Sequence, residues 1–257
     1  MAISCVGIGM LLGAHLTPRA RHLIESADIV FSNVSDGIVE LWLATLNANT
    51  RSLQPHYVPG RSRKIGYEAM VEDILEAAQS GKDVCAAFYG HPGVFAWVAH
   101  EVLRRAREQG IAASMEAGVS AADCLYADLG IDPGEFGCQH YEATQLMIYD
   151  RRIDATAYLV VWQVAMAGDR TLTRLATGAS YRQLLVDVLA QTYPRDHRCL
   201  LYRAATLPID TPRRESLRLC DLPDAHVELP DTLVLPPAQP LRRNAAVRQA
   251  LDRLDAL

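Results

Sequence analysis

Residues 88–95 read FYGHPGVF. They follow an apolar run, Val84-Cys85-Ala86-Ala87, and precede an amphipathic one over residues 97–109. Two glycines and a proline therefore stand where a buried strand hands over to a helix. Chain at such a handover must turn sharply with few side chains in the way, and loops at the C-terminal ends of strands are where α/β folds bind ligands. The glycines point to something that comes close to the backbone at this handover. Outward from this point the same alternation continues. Residues 3–8 read as a buried strand. Thr17-Pro18 reads as an N-cap and a first-turn proline, opening a helix to about Ala27. A strand over 28–31 and a helix over 37–46 follow. Ile65, Ala69, Met70, Ile74, Ala77 and Ala78 recur with helical period, and Gly81 stops that helix. Val98, Val102, Leu103 and Ala106 line one face of the next helix, which Gly110 ends. This order predicts an α/β fold with a largely parallel sheet.

The second half reads differently. Strands are expected over 159–164, 199–204 and 233–235, with a helix over 181–192 between the first two. Proline thickens from Pro208 to Pro240, and 243–256 reads as a terminal helix. A change of domain is placed near 116–120. The expected division is an N-terminal α/β domain (1–117), a second α/β domain (118–240) and a tail helix (241–257).

The chain has 257 residues, half of them hydrophobic and 21% charged, enough for a sizeable core. A net charge of -5 argues against a nucleic-acid surface. No apolar run approaches the roughly 20 residues that span a bilayer. MAISCVGIGM lacks the basic n-region of a secretion signal, so a cytoplasmic protein is expected. The six cysteines are scattered without a CxxC, the pattern of reduced thiols and not of a metal site or disulfides. Gly7, Gly9 and Gly13 make GxGxxxG, not the dinucleotide spacing, and fit a tight turn after the first strand. There is no P-loop, HExxH or GxSxG.

His91, inside the glycine loop, reads either as a hydrogen-bonding histidine at a helix entry or as a neighbour of the ligand. Arg63 and Tyr67 are four apart and share a face if the helix reaches back to Arg63; Tyr57 lies six residues before it. Taken alone these are a surface arginine and two part-buried tyrosines. An arginine beside phenols would also favour phenolate and lower a tyrosine pKa, making it a base.

FYGHPGVF, Ala117-Gly118-Val119-Ser120-Ala121-Ala122-Asp123-Cys124-Leu125, Ile131-Asp132-Pro133 and Gly137-Cys138-Gln139-His140-Tyr141-Glu142-Ala143-Thr144 together resemble the borosin peptide-backbone N-methyltransferases, within the tetrapyrrole-methylase-like enzymes. The resemblance runs over nearly the whole chain. It implies two α/β domains with S-adenosylmethionine in the cleft between them, released as S-adenosylhomocysteine. The cofactor positions it implies are Tyr89, His91, Val94, Phe95, Ser120, Ala121, Gln163, Ala204 and Thr232. Arg63, Tyr67 and Tyr57 match the catalytic cluster. Gln54 stands where the family commonly has a further tyrosine, with His56 next to Tyr57. The chain ends at Leu257 without a repetitive apolar core peptide, which suggests a split form acting in trans on a separate precursor peptide. A homodimer is also implied. Two other functions keep parts of this picture: a tetrapyrrole or other small-molecule methylase, with Arg61, Arg63 and Lys64 lining the cleft, and a non-catalytic cofactor- or peptide-binding module, favoured by Gln54. No metal is called for in any of them.

Elemental analysis of the purified protein should find no stoichiometric zinc or iron, and a chelator should leave its thermal unfolding midpoint unchanged. One tightly held metal per chain would overturn the reading of the cysteines.

Overall fold

The computed structural model describes residues 2–34 and 36–256; Met1 and Leu257, the outer limits of the expected domains, lie outside them. In chain order the first elements are β1 (Ala2–Gly7), α1 (Pro18–Ser26), β2 (Ile29–Asn33), α2 (Gly37–Leu46), β3 (Thr50–Ser52), α3 (Arg63–Gln79), β4 (Val84–Phe88), α4 (Trp97–Glu108), β5 (Ala112–Glu116) and α5 (Ala121–Leu129). β4 is five small or apolar residues, all buried. A strand of that kind can be covered on both faces, and it takes the middle of a parallel sheet ordered β3-β2-β4-β1-β5. Successive residues point to opposite faces. Ile3, Cys5, Ile29, Phe31 and Ala86 pack with Met70 and Ile74 of α3 and Val98 and Val102 of α4. Val6, Val30, Cys85 and Ala87 pack with Ala20 and Ile24 of α1 and Leu43 of α2. The expected α/β order and parallel sheet are thus present. Thr17 caps α1 through its side chain, with Pro18 in the first turn, as its sequence indicated.

The later elements are α6 (Pro133–Phe136), β6 (Cys138–Glu142), α7 (Ala143–Ile148), β7 (Tyr158–Trp162), α8 (Ala179–Leu189), β8 (Arg198–Arg203), β9 (Arg213–Arg218), β10 (Thr232–Leu235) and α9 (Ala245–Asp255). Their sheet, ordered β6-β7-β10-β8-β9, is mixed: β6 runs parallel to β7, while β10 is antiparallel to β7 and β8. Its core joins Leu159, Val161, Leu201, Leu233 and Leu235 to Leu185 and Leu189 of α8. The strand expected over 159–164 stops at Trp162. Gln163 turns left-handed (φ 59°), and Val164–Met166 form a buried 3-10 turn whose apolar residues extended the strand pattern.

By contacts the chain forms two units. The first holds Met1–Ile131, Asp169–Leu175 and Arg203–Arg213; the second holds Asp132–Gly168, Ala176–Tyr202 and Arg214–Leu257. Two segments from the second half of the chain therefore belong to the first unit.

In that unit the C-terminal ends of β1, β4 and β5 meet backbone to backbone. Gly9 N–H donates to Gly90 O (3.1 Å), and Gly90 N–H donates back to Gly9 O (2.9 Å). A Cβ on Gly7 would lie 2.5 Å from Gly90 O and 2.7 Å from Gly118 Cα. No side chain fits there. Gly7→Ala should cost about 1–3 kcal/mol, the usual range for overpacking a site that cannot relax. Equilibrium urea unfolding checks this; a loss within about 0.5 kcal/mol, the scatter of ordinary surface changes, would show that the three ends are not in contact.

Candidate active site

Beyond β4 the loop turns tightly. His91 Nδ1 accepts from Gly93 N–H (2.9 Å), and His91 O accepts from Val94 N–H (3.1 Å), so the histidine hydrogen-bonds its own loop at the entry to α4. A Cβ on Gly93 would meet Met115 Sδ at 2.9 Å and His91 Cε1 at 3.1 Å. A side chain at Gly93 would therefore have to displace the flexible end of Met115 and the His91 ring. What the loop offers to its surroundings is aromatic. Tyr89 is 53% exposed, Phe95 49% and Trp97 41%, with Val94 beside them. Phe95 is also left-handed (φ 52°), a conformation that costs a bulky residue about 1–3 kcal/mol and that tends to occur at functional sites.

Ser120 and Ala121 open α5 next to this loop; Ser120 Cα lies 3.9 Å from where a Gly90 Cβ would be. The Ser120 hydroxyl accepts from Asp123 N–H (3.3 Å) and donates to Asp123 Oδ2 (2.6 Å) in a capping box. Its hydrogen-bonding capacity is largely used within the helix start, which leaves backbone as its main offer to a ligand. Ala204 is buried in the segment Arg203–Arg213, which is tied to the loop after β1 by Leu12 N–H donating to Thr206 O (2.9 Å). Gln163 and Thr232 belong to the second unit. Gln163 keeps its left-handed backbone before a turn fastened by Thr177, whose hydroxyl donates to Ala165 O (3.2 Å) and Ala167 O (2.8 Å). Thr232 is buried at the start of β10, opposite Tyr202.

The three catalytic candidates all lie in the first unit. α3 begins at Arg63, so Tyr67 sits one turn later. Tyr57 meets Tyr67 edge-to-face (centroids 6.0 Å apart, rings at 83°), and Tyr67 stacks on Trp97 (6.3 Å, 27°). The Tyr57 hydroxyl faces Asn33 Oδ1 at 3.5 Å, at the end of β2. Burial, and then the neighbouring phenols of Tyr67 and Tyr89, push the Tyr57 pKa well above its ordinary value near 10. Desolvation around its hydroxyl, and the Tyr67 phenol, push Tyr89 up as well, although the residue as a whole is half exposed. The expected lowering of a tyrosine by Arg63 is thus reversed at Tyr57. Desolvation is the main cause, and Arg63 turns its guanidinium elsewhere, donating to Arg174 O and pairing with Asp169 Oδ2 at 3.5 Å. Gln54, in place of a family tyrosine, donates to Val34 O, and His56 pairs with Asp73 at 2.7 Å.

Asn33, Trp97 and Asp169 were not singled out by the sequence. Asn33 carried a usable signal, a polar residue ending an apolar strand. Nothing in the sequence links Asp169 to Arg63. A concavity of about 320 Å³ lined by Arg51, Ser52, Asp73, Glu76 and Lys82, among others, shares no residue with the candidate set. Among the described residues no group of three or more His, Cys, Asp or Glu could hold a metal ion, and no helix is long and apolar enough to cross a membrane.

With this geometry in place, the chain can be compared with known proteins. The profile of the family Tetrapyrrole (Corrin/Porphyrin) Methylases matches residues 2–219. The chain is 35% identical over 260 residues to the methyltransferase/ribosomally synthesized type I borosin cyclic peptide precursor cmaMA of Coprinopsis marcescibilis, covering 98% of this chain and 66% of that one. It is 34% identical over 259 residues to the methyltransferase/ribosomally synthesized cyclic peptide omphalotin A precursor ophMA of Omphalotus olearius (99% and 62% covered). Over 222 residues it is 37% identical to the corresponding dendrothelin A precursor dbihMA of Dendrothele bispora (86% and 53%). The chain thus spans about half to two thirds of the length of these relatives. Among solved structures, uroporphyrin-III-C-methyltransferase from Thermus thermophilus shares the fold, with a TM-score of 0.66 at 21% identity over 93% of this chain and 96% of that one.

The raised Tyr57 pKa has a sign that can be checked. The folded state holds the Tyr57 proton more tightly than the unfolded chain, so this contribution to stability is complete below pH 10 and is lost as pH climbs above it. Tyrosinate absorbance of the native protein, compared with Tyr57→Phe, should show the missing tyrosine titrating well above 10. A midpoint below 10 for that tyrosine would show that a cation does act on it.

Proposed function

Because the chain belongs to the family of tetrapyrrole (corrin/porphyrin) methylases, a family of methyltransferases, we propose that it transfers methyl groups from S-adenosylmethionine to backbone amide nitrogens of a ribosomally made precursor peptide. The observation that carries this is the 34–35% identity, across nearly the whole chain, to proteins whose names join a methyltransferase with a cyclic peptide precursor. The peptide is taken to be a separate chain, and the protein to work as a cytoplasmic homodimer; co-expression with a precursor, cell fractionation and sedimentation test these three points.

The residues of the first unit suit such a cofactor. Exposed Tyr89 and Phe95 beside the C-terminal ends of parallel strands offer flat faces for a base, and aromatic faces attract a cation such as a sulfonium. With His91, Val94, Ser120, Ala121 and Ala204 they are the proposed cofactor set; Gln163 and Thr232 are carried over from the resemblance. When bound, S-adenosylmethionine supplies an electrophilic methyl and leaves as neutral S-adenosylhomocysteine.

An amide nitrogen is a poor nucleophile because its lone pair is delocalised into the carbonyl. Holding it in line with the methyl can supply roughly 7–11 kcal/mol of the barrier. Its N–H must also be free of secondary structure, so the acceptor is an extended chain. As the N–H proton leaves, negative charge grows on the amide oxygen, and Arg63 is the donor assigned to it. Tyr67 is the proposed proton acceptor. Tyr57, whose raised pKa keeps it protonated, can donate a hydrogen bond to Tyr67. Trp97, stacked on Tyr67, covers one face of that ring.

Arg63→Ala should leave cofactor affinity nearly intact while lowering the methylation rate about a hundredfold or more, as for a lost oxyanion donor. Tyr67→Phe should keep the fold and slow transfer. Mass spectrometry of a co-expressed precursor, read as steps of one methyl on backbone nitrogens, gives both results. Methylation by Arg63→Ala at the parent's rate would remove the arginine from the mechanism. Methylation of a tetrapyrrole in place of any peptide would replace the substrate.

A further inference from the structure

Arg63 is held at both its ends by one short piece of chain. α3 has no side-chain cap, since Ser62 makes none, and an uncapped helix leaves its first N–H groups to find partners. The Arg63 N–H donates to Leu172 O at 2.8 Å. The Arg63 guanidinium donates to Arg174 O and pairs with Asp169 Oδ2. All three partners belong to Asp169–Leu175, which by its contacts is part of the first unit although it lies more than a hundred residues further along the chain.

The two oxygens of Asp169 divide their work. Oδ1 accepts from Thr171 N–H (3.1 Å) and the Thr171 hydroxyl (2.7 Å), which closes the turn. Oδ2 accepts from Arg174 N–H (3.1 Å) and faces Arg63. The Asp169 side chain is 1% exposed and that of Arg63 13%. A carboxylate so deeply enclosed needs a partner for its charge, and the only cation paired with it among the described residues is the one assigned to the reacting amide. A neutral asparagine could keep the Oδ1 contacts to Thr171, but it has no second acceptor oxygen to serve Arg174 N–H and Arg63.

We infer that Asp169 is the positioning residue of Arg63: its Oδ2, together with Arg174 O, fixes the plane of the guanidinium so that its remaining N–H groups are presented in one orientation. This rests on the assignment of Arg63 to the amide oxygen proposed above. A guanidinium has five N–H donors in a rigid fork, so two directed contacts on one side set where the other donors point. Asp169 touches neither substrate nor cofactor in this role and acts only through the arginine.

A double-mutant cycle with a spectroscopic readout tests it. Asp169→Asn should lower turnover about tenfold in the wild-type background and less than about twofold when Arg63→Ala is already present, because coupled residues are not additive. Peptide KM and cofactor affinity should stay within about twofold, and Thr171→Val, which disturbs only the Oδ1 side, should match wild type within the same margin. Nitrogen-15 NMR of the arginine side chains reads the positioning without any reaction: separate Arg63 Nη signals in the wild type should collapse to an average in Asp169→Asn. Equal losses in both backgrounds, or an equal loss in Thr171→Val, would make Asp169 merely a turn residue. Unchanged Arg63 signals in Asp169→Asn would also overturn the inference. If the wild type methylates no peptide, the proposed function fails, and the NMR comparison still decides whether Asp169 positions Arg63.

Discussion

Three backbones touch where β1, β4 and β5 end, and the approach of Gly7 to Gly90 O and Gly118 leaves no volume for a Cβ. That contact sets the direction in which the chain leaves each strand. It sends the loop after β4 outward with Tyr89, Phe95 and Trp97 exposed, and it starts α5 at Ser120 beside the same loop. The end of β2 adds Asn33 under Tyr57. Every candidate in the first unit apart from the Arg203–Arg213 segment is therefore carried by, or packed against, chain leaving the C-terminal ends of parallel strands, where open α/β sheets hold their ligands.

The charges around this face follow from what is buried and what is paired. Arg63 is paired with Asp169, and desolvation and the neighbouring phenols keep Tyr57 protonated. A site arranged this way has its hydrogen-bond donors in place before any acceptor arrives, and preorganised donors of this kind contribute most when charge develops on an enclosed oxygen. The strained backbone of Phe95 and Leu172 on either side of the tyrosine and arginine groups points the same way, since such conformations persist only where surrounding packing enforces them.

The inner strands were legible in the sequence and the edges were not. β1, β2, β4, β7, β8 and β10 are apolar runs because neighbours cover them on both sides. The strands that escaped notice, β3, β5, β6 and β9, are the four sheet edges. Thr50–Ser52 and Arg213–Arg218 are polar because an edge meets a partner on one side only. At the site, Tyr57 and Tyr67 meet edge to face, while Arg63, one helical turn before Tyr67, turns its guanidinium to Asp169 and Arg174. The direction of the Tyr57 pKa was not legible, because it depends on desolvation and on the phenols of Tyr67 and Tyr89, which only the fold brings together. The glycines of the loop were legible as a close approach, and Gly90 does meet the backbone of Gly7 and Gly9.

We propose that the methyl donor binds at the loop after β4 and the start of α5. Amide hydrogen exchange of the full chain with and without S-adenosylhomocysteine tests it most directly. Residues 89–97 and 117–121 should exchange more slowly with the ligand present, as ordered backbone in contact with it would. Binding that leaves both segments unchanged while protecting other parts of the chain would contradict the account.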